Sequence, residues 1–154
     1  MVKNTEKKEF QIPTDLSEVQ KASAKVLSFL RPLDLDEPCI FDIRLCLEEA
    51  LINAMKYGNQ LRKDLSVRLV VECDPGRQVR ITVEDQGGGF DVRRLEDCTQ
   101  KKNLFKGHGR GVYLIHQLMD EVKFNAKGNS VLMIKHLQSN KSILGGLFTW
   151  KSKR

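Results

Sequence analysis

In the stretch "EEALINAMKYGN", Glu48 to Asn59, two adjacent carboxylates and an asparagine interrupt an otherwise apolar helical pattern. Glu49 and Asn53 stand four residues apart, the spacing that stacks side chains on one helix face, and Lys56 follows about a turn later. One helix edge would therefore carry a carboxylate, an amide and an ammonium. Glu48 aligns instead with Arg44 and Ile52 and reads as half of an exposed ion pair with Arg44. Two glycine segments add to this set. "VEDQGGGFD" ends a strand pattern at Asp85 and runs into Gly87, Gly88 and Gly89, while "GHGRG" places Gly107, Gly109 and Gly111 directly before a helical pattern. A glycine loop feeding a helix N-terminus offers backbone N–H groups and a positive dipole end to a phosphate. Taken singly, the two segments read equally well as a strand-ending turn and a helix-entry loop. The GxxxxGK[ST] phosphate loop, HRD and DFG do not occur, and "TQKKNLFK" before Gly107 is no Rossmann strand.

The elements that must position these residues follow from periodicity. Glu9 to Ile12 alternates and stops at Pro13, as a short strand does. Leu16, Val19, Val26, Leu27 and Leu30 form an amphipathic helix stripe, with Thr14 or Asp15 as cap and Pro32 just past its end. From about Asp36 to Tyr57, Ile40, Ile43, Leu47, Ala50, Leu51 and Ala54 share a second stripe, a long helix closed by Gly58. "LSVRLVVEC" and "QVRITVED" alternate at period two around the turn "DPGR" and predict a hairpin. A polar segment from Gly87 to about Lys106 reads as a loop with room for one short helix. "GVYLIHQLMDEV" carries Val112, Ile115, Leu118, Met119 and Val122 at helical spacing, and "VKFNAKG" with "SVLMIKHL" predicts a second hairpin. The order β-α-α-β-β-loop-α-β-β predicts an α/β two-layer sandwich, an α+β fold with three main helices on one face of a mixed, mostly antiparallel sheet.

Composition narrows the function classes. A chain of 154 residues fits one domain, here expected over 1–137 with a basic extension at 138–154. That extension reads as a frayed terminus, or else as a segment docking Leu144, Leu147, Phe148 and Trp150 on the domain or a partner. There is no membrane-length apolar run, and "MVKNTEKKEF" has no apolar signal core behind it, so a cytoplasmic protein without membrane attachment is expected. Cys39, Cys46, Cys73 and Cys98 show no CxxC pair or zinc spacing and read as reduced, mostly buried thiols. The net charge is +6, and from Lys101 onward eleven Lys or Arg face only Asp120 and Glu121. This asymmetry suits an acidic partner, a polyphosphate or a nucleic acid, and reads equally as solubility. No aromatic-interleaved basic stripe or nucleic-acid-binding signature accompanies it, so direct nucleic-acid binding is not expected.

In order along the chain, "EALIN" (Glu49 to Asn53), "DQGGG" (Asp85 to Gly89) and "GRG" (Gly109 to Gly111) followed by "VYLIHQLMDEV" resemble the N, G1 and G2 boxes of the ATPase superfamily that includes gyrase, MutL and histidine kinases. More closely, they resemble the bacterial anti-sigma-factor serine/threonine kinases typified by RsbW, and the similarity runs from about Glu9 to Leu137. The resemblance implies a Bergerat-type ATP site between the long helix, the sheet and a lid at about Phe90 to Lys106. By that resemblance Asp85 accepts a hydrogen bond from the adenine amino group; guanine presents an oxygen there, so ATP is favoured over GTP. Asn53 would bind Mg²⁺ through its side-chain oxygen. Lys56 would place a charge near the phosphates, Gly87 and Gly89 would admit the nucleotide and hinge the lid, and Gly109 and Gly111 would supply backbone donors. Arg110 either reaches a phosphate or is solvated. Glu49 becomes the general base for a serine hydroxyl. The implied partners are a sigma factor and a STAS-domain anti-anti-sigma protein whose serine accepts phosphate, with the kinase a homodimer. The alternative is a nucleotide-gated regulator that sequesters a partner without phosphorylating it.

Overall fold

Alternating Val and Ile residues build the sheet that everything else rests on. The computed structural model describes residues 4–88 and 107–137, with backbone alone at 107–110, 143–144 and 147–148. Strands β1 (Glu6–Pro13), β2 (Ser66–Asp74), β3 (Gln78–Glu84), β4 (Glu121–Phe124) and β5 (Ser130–His136) pair in the order β1-β2-β3-β5-β4. Every pairing among them is antiparallel. Leu69 lies opposite Val83, which lies opposite Val131, and Val71, Ile81 and Met133 form the next row on the same face. These rows are buried, as period-two patterning requires of a sheet with one covered face.

Three helices cover that face: α1 (Val19–Leu30), α2 (Glu37–Asn53) and α3 (Gly107–Leu118). Val26, Ile43, Leu47, Leu51 and Ile115 join the sheet rows in one core. Burying each such side chain contributes on the order of 1.5–3 kcal/mol. Asp36 caps α2 by accepting the Cys39 N–H at 2.9 Å, and Asp15 takes the Ser17 N–H at 2.9 Å where a single 3₁₀ turn leads into α1. A buried ion pair ties the layers together: Lys135 of β5 donates to Asp42 Oδ2 of α2 at 3.0 Å and to the Leu118 carbonyl at the end of α3 at 2.8 Å.

The structure departs from the sequence pattern in several places. β1 starts at Glu6, three residues earlier than its alternation predicts. The expected helix from Gly111 to Val122 is instead Gly107–Leu118, so the glycines expected before the helix lie in its first turns. Val122 pairs with Met133 in β4, because Asp120 donates its N–H to Ile134 O at 2.9 Å and accepts the His136 N–H at 2.6 Å, drawing the chain into the sheet. The long helix does not close on a left-handed Gly58. After Asn53 it widens into a π turn, Ala54–Gly58, with the Asn59 N–H reaching back to Ala54 O at 2.7 Å. The left-handed positions are Gln60 (φ 53°) and Leu61 (φ 57°). Among the described residues no ion pair joins Arg44 to Glu48.

Cys46 and Cys73 are buried, and burial pushes the half-buried Cys39 thiol up to about 11; Cys98 lies outside the described residues. In the 138–154 extension, Ile143–Leu144 and Leu147–Phe148 pair as a two-residue antiparallel ribbon. No helix among the described residues is long and apolar enough to cross a membrane.

Candidate active site

The site assembles where the C-terminal end of α2 meets the start of α3 and the end of β3. On α2, Glu49 and Asn53 share the face expected from their spacing. Gly111 of α3 presses on both of them: a Cβ built there would lie 2.7 Å from Glu49 Oε2 and 3.1 Å from Asn53 Nδ2. Only glycine lets the two helices approach this closely over the two polar side chains. The first four N–H groups of a helix have no intrahelical partner. Gly109 belongs to that set in α3, whereas Gly111, the fifth residue of the helix, does not.

Asp85 directly follows β3 and is 7% exposed. Its backbone is clamped by Asn129, which accepts the Asp85 N–H through its carbonyl at 2.8 Å and donates through Nδ2 to Asp85 O at 2.9 Å. Asp85 Oδ1 accepts the Gly87 N–H at 2.9 Å. Gly58 sits directly over the carboxyl, where any Cβ would overlap it, and a Cβ at Gly87 would collide with the Gly58 carbonyl. Burial holds the Asp85 carboxyl above its ordinary pKa, opposed by the Gly87 N–H and by the nearby Lys127 charge.

Between these groups opens a cleft of about 450 Å³ of atom-free space, its mouth included. Ala50 lines it from α2, Ala54 from the π turn, Val83 and Val131 from the sheet, and Val112 and Ile115 from α3; Asn53, Asp85 and Asn129 supply polar atoms. An apolar slot with one buried carboxylate suits a flat heterocycle that brings its own N–H donor. Such a donor would favour the ionised form that burial disfavours.

Lys56 lies on the π turn with its side chain exposed and its ammonium 5.8 Å from the Tyr57 ring centroid. The structure therefore brings Glu49, Asn53 and Gly111 together, and Asp85 and Gly87 together, with Asn53 and Asp85 lining one cleft. The Arg110 side chain, Gly89 and the expected lid at 90–106 lie outside the described residues. Gly58, Asn59 and Asn129 escaped the sequence reading. A helix-ending "GN" was the only local signal of the first two, Asn129 lies in the connection between β4 and β5, and the partners all three serve are distant in the chain.

The model of the histidine kinase-like ATPase domain matches residues 12–135, from β1 through β5. The chain belongs to the histidine kinase-like ATPase domain family. An ATPase domain binds ATP, which accords with the apolar cleft and its buried carboxylate. Two similar proteins are an anti-sigma F factor of Halalkalibacterium halodurans and a serine-protein kinase RsbW of Bacillus velezensis. The first is 30% identical over 128 residues, 79% of this chain and 86% of its own length. The second is 31% identical over 111 residues, 66% of this chain and 68% of its own. Among solved structures, the RsbU and RsbW domains of a Mycobacterium tuberculosis protein align with a TM-score of 0.54 at 16% identity. That match covers 86% of this chain and 32% of the solved chain, so this chain spans about a third of that solved chain, and the likeness bears on fold alone.

The residues present also fit a phosphate-borne Mg²⁺. Among the described residues no three His, Cys, Asp or Glu side chains converge to hold a metal by themselves. An amide beside a carboxylate under a glycine, as at Asn53, Glu49 and Gly111, is the sparse oxygen set of a cation that arrives with its phosphates and waters.

Proposed function

We propose that this chain is an ATP-dependent serine protein kinase acting as an anti-sigma factor: it holds a sigma factor and phosphorylates a serine of a STAS-domain anti-anti-sigma protein. The observation that carries the reading is Glu49 and Asn53 packed together under Gly111 at an apolar cleft that also holds the buried Asp85. The names of the anti-sigma and serine-kinase relatives support the choice of partner and acceptor.

In this reading Asp85 binds the adenine amino group, and Gly58 and Gly87 fix its carboxyl. Asn53 holds Mg²⁺ through its amide oxygen, and the cation neutralises phosphate charge when bound. Gly109 gives the phosphates a backbone donor, Gly111 leaves the space they need, Arg110 and Lys56 add positive charge, and Gly89 hinges the cover with Gly87. Glu49, one helical turn from Asn53, orients the acceptor serine and takes its hydroxyl proton. The serine oxygen bonds to the γ-phosphorus, the bond to the β-phosphate oxygen breaks, and ADP leaves. A cytoplasmic homodimer organised as one domain over 1–137 completes the proposal.

The test incubates the full chain with γ-labelled ATP, Mg²⁺ and the cognate STAS protein. Phosphoserine on the STAS protein is expected; nucleotide-dependent binding with no label transfer would replace the kinase with a nucleotide-gated regulator.

A further inference from the structure

Asn59 is 1% exposed and every polar atom of its side chain is used. Nδ2 donates to Thr14 Oγ1 at 2.9 Å and to Ser66 O at 3.0 Å, while Oδ1 accepts the Gln86 N–H at 2.8 Å. These bonds fall into two groups. The Nδ2 bonds tie the end of the π turn to β1 and β2, where Thr14 Oγ1 also donates to Leu65 O at 2.6 Å. The Oδ1 bond alone reaches the glycine turn, at the residue that follows Asp85.

No helix cap or core contact requires that second bond. Its effect is local: it anchors Gln86 to the segment that carries Gly58, the residue lying over the Asp85 carboxyl. Asp85 is thus held on one side by Asn129 through its own backbone and on the other through Gln86, whose backbone N–H is fixed by Asn59 and whose side-chain Oε1 accepts the Ser66 N–H at 2.7 Å. A carboxylate discriminates an amino group from a ring carbonyl only if it cannot swing away from the unwelcome oxygen. Both flanks must therefore stay fixed.

We propose that Asn59 is the positioning residue that sets base selectivity in this cleft, acting through Gln86 on Asp85. The inference rests on the reading of Asp85 as the adenine partner. With Asn59 in place Asp85 is held to one orientation, and a purine with an oxygen at that edge meets a repelling carboxylate. Without it the turn relaxes, and the penalty on guanine shrinks.

The test measures binding of ATP and of GTP, each with Mg²⁺, to the full chain by calorimetry in four proteins: wild type, Asn59→Leu, Thr14→Val and Asp85→Asn. Asn59→Leu and Thr14→Val both remove bonds from the structural side, and each should lower Tm by about 2–8 °C. Only Asn59→Leu loses the Gln86 contact, so it alone of these two should shrink the ATP-over-GTP preference, by about tenfold. Asn59→Ser, which is too short to reach Gln86, repeats the measurement if the leucine variant does not fold. A preference unchanged in the Asn59 variants, while Asp85→Asn abolishes it, would overturn the inference and leave Asn59 a purely structural residue. A preference unchanged in Asp85→Asn would remove the adenine reading itself.

Discussion

Replacing Asp85 by asparagine should move two observables in opposite directions. The residue is 7% exposed, and burial raises its pKa above the ordinary 3.8, so the folded state without ligand is charged at a cost. The sign follows from linkage. The cost is absent below pH 3.8, where the group is protonated in both folded and unfolded chains, and it grows as pH rises through the folded pKa. Asparagine keeps an oxygen for the Gly87 N–H and carries no charge, so Asp85→Asn should be more stable than wild type at pH 7 and equal to it in acid. Nucleotide binding changes the other way. With its oxygen committed to Gly87, the asparagine turns an NH₂ toward the base, and a hydrogen bond to a charged acceptor, about 1.5–3 kcal/mol, is lost. ATP should therefore bind about 10- to 150-fold more weakly. Urea melts at about pH 7 and about pH 3, with ATP titrations on the neutral samples, read both effects. A variant that binds ATP as wild type does, or that loses stability at pH 7, refutes the reasoning.

Other perturbations separate the remaining groups. Glu49→Gln should keep ATP affinity and lose phosphoryl transfer by roughly 10²- to 10⁴-fold in a single-turnover assay; undiminished transfer would remove Glu49 from the role of base. Gly111→Ala places a methyl group 2.7 Å from Glu49 Oε2 and should cost about 1–3 kcal/mol of stability on chemical denaturation. It should also weaken binding of ATP with Mg²⁺, and a variant equal to wild type in both would contradict the packing described. Lys135→Met withdraws the cation from the buried Asp42 and should cost about 3–5 kcal/mol in urea unfolding, whereas Asp42→Leu with Lys135→Met should recover much of that loss.

The sheet and the first two helices were legible because their signals are local. Period two in "SVRLVV" and "VRITV" needs only the next residue but one, and the α2 stripe needs only a turn of context. The pairing of Glu49 with Asn53 was legible for the same reason. What failed depended on partners far along the chain. "GHGRG" has poor helix propensity and read as a loop, yet it is helical where α3 packs on α2 and Gly111 meets Glu49 and Asn53. Val122 satisfies helical and strand periods alike, and its pairing with Met133 decides between them. Asn59 carried no reading of its own, because Thr14, Ser66 and Gln86 approach it only once the sheet has formed.

The π turn at Ala54–Gly58 carries information that residue identities do not. An α-helix advances about 100° per residue, and the wider turn inserts one residue into that count. Adding a further residue between Asn53 and Gly58 would exceed what the wider turn absorbs and would swing Gly58 and Asn59 away from the Asp85 turn, even with every recognisable motif intact. Spacing between Asn53 and Gly58 is thus itself a specificity element. Relatives that keep the motif letters but differ there by one position should bind nucleotide with altered base preference.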